Sequence, residues 1–222
     1  MLNKPQGVIS ATTDPAKKTV IDIIPPELKR RSLFPAGRLD RDTVGLLIIT
    51  DDGAFAHRIM SPAHHVFKAY EAPLSFPIDE NDIRKLESGI TLGDGTECLP
   101  AKVKAFTKDG LPAAEIKIRE GKYHQVRRMM ASRQMTVLYL ERRCEGELTL
   151  GNLPRGQVRE LTEKEKDALL KETTRVLCDS TSFFPAEING EPCRMVILAY
   201  ILYPISGEHS ARYDILRYDV KP

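Results

Sequence analysis

Gly37-Arg38-Leu39-Asp40-Arg41-Asp42-Thr43-Val44-Gly45-Leu46-Leu47-Ile48-Ile49-Thr50-Asp51-Asp52-Gly53 decides how the rest of this chain is read. The apolar run between Gly45 and Asp51 has the length and composition of a buried strand. Arg38 and Asp40 therefore stand at the entrance to a core strand, where ionised groups need a partner or a task. Two residues apart on an extended chain, they share a face. A carboxylate beside a guanidinium stays ionised at neutral pH. An ionised, partly desolvated carboxylate is a candidate nucleophile or base. A structural ion pair at a strand entrance accounts for the same residues, so the stretch alone leaves both readings open.

Working outward, the first forty residues are punctuated by Pro5, Gly7, Pro15, Pro25, Pro26, Pro35 and Gly37 and read as strands and loops, with a helical turn near Val20–Ile24. Beyond the core strand, Asp51 or Asp52 can cap a helix from Gly53 to Met60, stopped before Pro62. Phe67–Leu74 reads as a strand. Asp79–Ser88 reads as a helix with an acidic first turn and Gly89 just past its end. Thr91–Thr96 reads as a turn at a hairpin tip. Ala101–Phe106 and Ala113–Arg119 alternate apolar and polar residues around Lys108-Asp109-Gly110, the pattern of a β-hairpin. Lys122–Arg133 reads as a basic helix whose inner face is Val126, Met129, Met130 and Gln134. Thr136–Leu140 is expected to be a strand. Glu163–Lys171 is expected to be a helix capped by Thr162, with Glu165 three residues on. Strands interleaved with helices give an α+β fold.

The chain has 222 residues, 41% of them hydrophobic, which suffices for a core and argues against disorder. No apolar stretch reaches membrane-spanning length, and Met1–Pro5 lacks the apolar segment of a signal peptide, so a cytoplasmic protein is expected. Cys98, Cys144, Cys178 and Cys193 have no zinc-ligand spacing and the histidines do not cluster with them, so thiols are expected and a metal site is not. The formal net charge is only +2, but it is unevenly spread. Residues 176–222 carry four basic groups against six acidic ones, while residues 119–133 carry Arg119, Lys122, Arg127, Arg128 and Arg133 against Glu120 alone. Local clustering governs phosphate binding more than the total does, although a solvated helix face is the commoner meaning of a charge run.

Five segments resemble pseudouridine synthases, in the RsuA-type branch that modifies ribosomal RNA. They are the stretch quoted first, Met1–Val8, Ser61–Tyr70 with its Lys68-Ala69-Tyr70 ending, Glu120–Met129 and Gly156–Thr162, in family order across residues 1–172. The third and fourth are worded most like the members that act on the small subunit. The resemblance implies a largely antiparallel mixed sheet with the active cleft along its middle. Members of this branch usually carry a small RNA-binding domain ahead of the catalytic one, and the resemblance begins inside the first catalytic strand. It ends near Lys171. Residues 1–175 are therefore expected to form the catalytic domain, and 176–222 an extension of unknown role. Within the extension, Val196–Tyr203 reads as a strand, and Phe183 and Phe184 as packing anchors of a small β-rich element.

Pseudouridine formation breaks a carbon–nitrogen glycosidic bond, turns the uracil and rejoins it through carbon. No redox change occurs and no outside atom enters, so no cofactor is expected. By resemblance Asp40 is the catalytic carboxylate and Arg127 its basic partner, which would keep it ionised and oriented. Tyr70 would stack on the extruded uracil with its hydroxyl placed for proton transfer. Arg38 would enter the space the flipped base leaves, since Arg both stacks and hydrogen-bonds. Lys68, Lys122 and Arg128 would bind the substrate through phosphates. Thr43 and Gly45 read as structural, the hydroxyl bonding nearby backbone and the glycine permitting close approach of chain segments. His64, His65 and His124 receive no catalytic role. The partner implied is a single flipped uridine of small-subunit (16S) ribosomal RNA, met by a monomer with no membrane or metal. A large-subunit (23S) target and a catalytically silent RNA-binding or assembly protein are the alternatives.

Overall fold

In a computed structural model the chain is described at residues 1–60 and 66–171, with the backbone of three later strands at 183–188, 191–202 and 210–218. It divides into two units, Met1–Thr173 and Thr174–Pro222.

The first unit is built on one mixed sheet. Its strands are β1 (Leu2–Lys4), β2 (Phe34–Ala36), β3 (Val44–Thr50), β4 (Lys68–Pro73), β7 (Lys102–Lys108), β8 (Leu111–Ile118), β9 (Glu141–Glu145) and β10 (Leu148–Thr149). Between β4 and β7 a small separate hairpin forms from β5 (Ile90–Thr91) and β6 (Glu97–Cys98). The main order is β1-β3-β9-β4-β8-β7, with β2 on β3 and β10 on β9. Only the β3–β9 pairing is parallel. The helices are α1 (Gly53–Met60), α2 (Glu80–Glu87), α3 (Gln125–Ala131) and α4 (Glu163–Lys171).

The core strand forms where the apolar run predicts it. Its alternation divides two cores: Leu47 joins the cluster containing Tyr70, Ile116, Val126, Met129 and Met130, while Leu46 and Ile48 join Phe55, Ile59 and Leu169 of α1 and α4. The helix ends follow their capping chemistry. Asp79 accepts the Asp82 amide at 2.7 Å to start α2. At α4, Thr162 and Glu165 cap each other reciprocally, the Thr162 amide donating to Glu165 Oε2 at 2.9 Å and the Glu165 amide to Thr162 Oγ1 at 3.3 Å. The β7–β8 hairpin turns at Asp109 and Gly110, both with positive φ, as a two-residue turn of this twist requires.

Three expectations are corrected. The strand predicted at Thr136–Leu140 lies instead at Glu141–Glu145, where a Glu-Arg-Arg-Cys-Glu run occupies the middle of the sheet. Its charges are tolerated because they meet partners there, as described below. The basic helix is shorter than Lys122–Arg133, and Gln134 is exposed at positive φ rather than on the inner face.

The second unit contains β11 (Phe183–Ile188), β12 (Glu191–Leu202) and β13 (Ser210–Tyr218), a three-stranded antiparallel sheet. Most of the Val196–Tyr203 run lies in β12. The side chains of Phe183 and Phe184, and residues 61–65 with His64 and His65, fall outside the described residues.

Candidate active site

Asp40 sits on the loop between β2 and β3, and the loop is fixed mainly through its backbone. Lys4, at the end of β1, is fully buried, and its ammonium donates to the carbonyl oxygens of Pro5 (3.1 Å), Asp40 (3.0 Å), Arg41 (3.4 Å) and Thr43 (2.9 Å). Burial pushes the Lys4 ammonium down to about 8, with Asp42 and Asp40 pulling it back up, so it remains charged at neutral pH. Ser10 Oγ donates to the Leu39 carbonyl at 2.8 Å and accepts the Leu39 amide at 3.0 Å. The Gly7 amide donates to the Arg41 carbonyl at 2.8 Å. Residues 4–10 thus clamp residues 39–43 from one side, which gives the Lys4-Pro5-Gln6-Gly7 segment a physical purpose.

Gly45 starts the other side of the clamp. Its φ is +103°, and a Cβ there would lie 2.2 Å from the Arg142 carbonyl oxygen, so only glycine lets β3 approach β9 this closely. Thr43 departs from expectation: Lys4 takes its carbonyl and its amide donates to Asp40 O, while its buried hydroxyl finds no partner among the described residues.

The Asp40 carboxylate is half-buried, and its Oδ1 lies 3.4 Å from Nε2 of His124. The expected Asp40–Arg127 pair is not formed. Arg127 Nη2 is 2.8 Å from Asp42 Oδ2 instead, and Nη1 donates to the Val137 carbonyl at 3.1 Å. The turn after Asp40 brings Asp42 to the guanidinium while His124 takes the side of Asp40. Arg127 Nε is buried and has no hydrogen-bond partner among the described residues. With Asp42 engaged by Arg127, Arg38 is left exposed on the approach to the cleft.

Tyr70 lies on β4 with Arg142 as its register partner on β9. Burial raises the pKa of its hydroxyl, and the charge of Arg142 and a hydrogen bond from it work the other way. Arg142 is 1% exposed; its Nε donates to the Leu46 carbonyl at 2.7 Å, and its Nη2 lies 3.4 Å from Glu145 Oε2. Burial opposes the Arg142 charge, but Glu145 and Tyr70 outweigh it and raise its pKa. Lys68, expected at a phosphate, has only 13% of its side chain exposed and points its Nζ at buried Glu145 Oε1, 3.6 Å away. Lys68 and Glu145 are register partners on β4 and β9, so their side chains share one face of the sheet. A buried Tyr70–Arg142–Glu145–Lys68 group therefore underlies the site.

On the rim, Lys122 lies 3.2 Å from Glu120 Oε2 and also donates to the Glu97 carbonyl. Arg128 Nη2 is 2.5 Å from Asp94 Oδ1. Sequence reasoning missed Lys4, Ser10, Arg142 and Glu145, and gave His124 no role. The signal available for Arg142 and Glu145 was their spacing of three within a charge run. No helix of the described residues is long and apolar enough to cross a membrane.

Residues 1–132 match the model of a family described as RNA pseudouridylate synthase. The chain is 47% identical over 167 residues to an uncharacterized RNA pseudouridine synthase, YtzG, of Bacillus subtilis, covering 74% of this chain and 70% of the relative. It is 40% identical over 167 residues to ribosomal small subunit pseudouridine synthase A of Salmonella typhimurium and 39% identical to that of Escherichia coli, in each case covering 74% of this chain and 71% of the relative. A crystal structure of a pseudouridylate synthase superposes with a TM-score of 0.68 at 38% identity, covering 76% of this chain and 71% of the other.

Proposed function

The chain belongs to the RNA pseudouridylate synthase family, and on that premise we propose that it converts one uridine of small-subunit ribosomal RNA to pseudouridine, with Asp40 as the reacting carboxylate. It is an isomerase by family. The C1′–N1 bond breaks, C1′ bonds to C5 of the rotated uracil, C5 loses its proton and N1 gains one. Every atom comes from the uridine and water's protons, so residues alone suffice: a carboxylate, a surface to hold the free base, and groups that extract it from the RNA.

The observation that carries this reading is the fixed, half-open Asp40. Its backbone is held by Lys4, its neighbour Leu39 by Ser10, and its carboxylate stands half-exposed beside His124. A rigid loop that leaves a carboxylate accessible is what preorganised attack or proton abstraction on a flipped nucleotide requires. Tyr70, anchored by Arg142, supplies the aromatic wall and a hydroxyl for the uracil. Arg127 acts through Asp42, tying the catalytic loop to α3 and to Val137. Arg38 fills the gap left by the flipped base, and Lys122 and Arg128 contact phosphates. The small-subunit target is supported by the relatives named for it at 39–40% identity. We read it as acting as a monomer. A ribosomal RNA substrate implies a cytoplasmic enzyme.

Incubation with small- and large-subunit ribosomal RNA transcripts, followed by mapping of pseudouridine, tests this. One stoichiometric site in the small-subunit transcript, lost with Asp40→Asn, is the expected result. Modification of the large-subunit transcript alone would move the target. Binding without product would leave an RNA-binding protein and overturn the catalytic reading.

A further inference from the structure

Tyr123 is 76% exposed, more than any other large apolar side chain among the described residues. It is not loose. Its ring stacks on that of His124, centroids 3.9 Å apart and planes 15° from parallel. The arrangement has a backbone cost, because His124 is left-handed (φ 49°, ψ 34°) and makes no side-chain cap bond to α3. A residue with a Cβ is held there only when its surroundings demand it, and such positions gather at functional sites. What the twist achieves is visible: one face of His124 carries Tyr123, while its Nε2 reaches Asp40. His124 thereby links an exposed aromatic face to the Asp40 carboxylate. Beside it opens a groove of about 580 Å³ lined by Leu92, Asp94, Tyr123, Arg128 and Ser132. Arg128 donates to the Tyr123 carbonyl at 3.3 Å and is paired with Asp94, a carboxylate 58% exposed.

We propose that the Tyr123–His124 stack is a platform for a nucleobase adjoining the flipped uridine, and that Arg128 receives a phosphate of that strand in exchange for Asp94. The proposal rests on the reading of Asp40 as the reacting group on an RNA. A strand that delivers a uridine to Asp40 must carry the neighbouring nucleotides across the adjoining surface. Unstacked bases of RNA are held chiefly on aromatic rings, and every base offers a face for it. Lys122 and Arg128 flank the stack in sequence, each held by a carboxylate, Glu120 and Asp94, that a phosphate can replace. Release of Asp94 is cheap, because an exposed ion pair contributes little.

Two measurements on the full chain test this. With the small-subunit transcript, Tyr123→Ala should raise KM about tenfold, the loss of one stacked base, while kcat falls far less. Tyr123→Phe keeps the ring and should recover most of the affinity. With a single-stranded oligouridylate carrying one 2-aminopurine, the wild type should quench the probe on binding. Tyr123→Ala should not, Tyr123→Phe should, and Asp40→Asn should quench as the wild type does. This second arm needs no turnover. If no pseudouridine forms, the catalytic reading fails while the quenching still decides the platform. Wild-type KM and quenching in Tyr123→Ala would overturn the proposal. So would a Tyr123→Phe as defective as Tyr123→Ala, or a loss confined to kcat, which would make Tyr123 merely a support for His124.

Discussion

Arg142→Met should destabilise the protein by about 3–5 kcal/mol, the range for removing one partner from a buried ion pair. Methionine fills most of the space, so the cost is electrostatic and polar rather than a cavity. The Leu46 carbonyl loses its 2.7 Å donor in the interior, which alone is worth about 1–3 kcal/mol. Tyr70 loses the hydrogen bond that anchors its hydroxyl. Glu145, with no accessible surface, keeps only Lys68 at 3.6 Å to balance its charge. Arg142 Nη2 and both Glu145 oxygens already lack hydrogen-bond partners among the described residues, so the pair is held by charge without good hydrogen bonds and the total stays within that range. At roughly 2–4 °C per kcal/mol for a chain of about this size, the melting temperature should fall by roughly 6–20 °C.

Thermal and urea melts of Arg142→Met, Glu145→Leu and the double variant separate the terms. Removing the stranded carboxylate as well should return about 1–3 kcal/mol, making the double variant more stable than Arg142→Met alone. Product formation should stay low in the double variant even with stability recovered, because Tyr70 still lacks its anchor. An Arg142→Met that melts within 2 °C of the wild type, or a double variant that loses the sum of both singles, would refute the idea that this pair holds the centre of the sheet.

Other outcomes follow from the same geometry. Gly45→Ala should cost more than about 3 kcal/mol, because its Cβ would collide with the Arg142 carbonyl and its φ is left-handed; a near-native melt would refute the close approach. Tyr70→Phe should lower kcat more than it raises KM on the transcript, and turnover at the wild-type rate would remove the hydroxyl from the reaction. Arg127→Ala should reduce product formation at least about tenfold, by freeing the loop at Asp42, while Arg128→Ala should weaken RNA binding and reduce its salt slope by about one; equal effects would sink the distinction. Lys4 titrates in the folded protein at about 8, below its ordinary 10.5, so the folded state releases this proton first. Its contribution to stability therefore rises between those two values and is a cost below about 8. The neutral amine grips the loop carbonyls more weakly, so product formation should fall with pH above about 8 while this group does not lower the melting temperature. A pH–rate profile that is the same for Lys4→Met as for the wild type would exclude Lys4 as the titrating group.

Elements whose causes lie close together in the chain were legible. The apolar run of β3, the reciprocal Thr162–Glu165 cap and the Asp109-Gly110 turn each carry their determinants within a few residues. The strand β9 was not legible. Five residues with four charges do not read as the middle of a sheet, and they become so only because Arg142 meets Leu46 and Tyr70, and Glu141 meets Arg143 and Arg155. Those partners come from segments up to 96 residues away, and no window on the sequence contains them.

The same separation explains what was missed at the site. Asp40 stands in a recognisable stretch, but what makes it usable is the capture of backbone carbonyls by Lys4, 36 residues earlier. A carbonyl oxygen leaves no mark in a sequence, so Lys4 reads as one more surface lysine. The Asp40–Arg127 pair was expected because a carboxylate and a guanidinium attract wherever they meet. The turn at Arg41 decides instead which carboxylate meets the guanidinium, and it presents Asp42. Asp40 is thereby left to His124, whose imidazole at 3.4 Å is a weaker neighbour than a guanidinium. A catalytic carboxylate locked into a bidentate ion pair would have to be released before it could react. One held by its backbone and only brushed by a histidine is already free, and the cost of holding it is borne by the buried Lys4 rather than by the carboxylate itself.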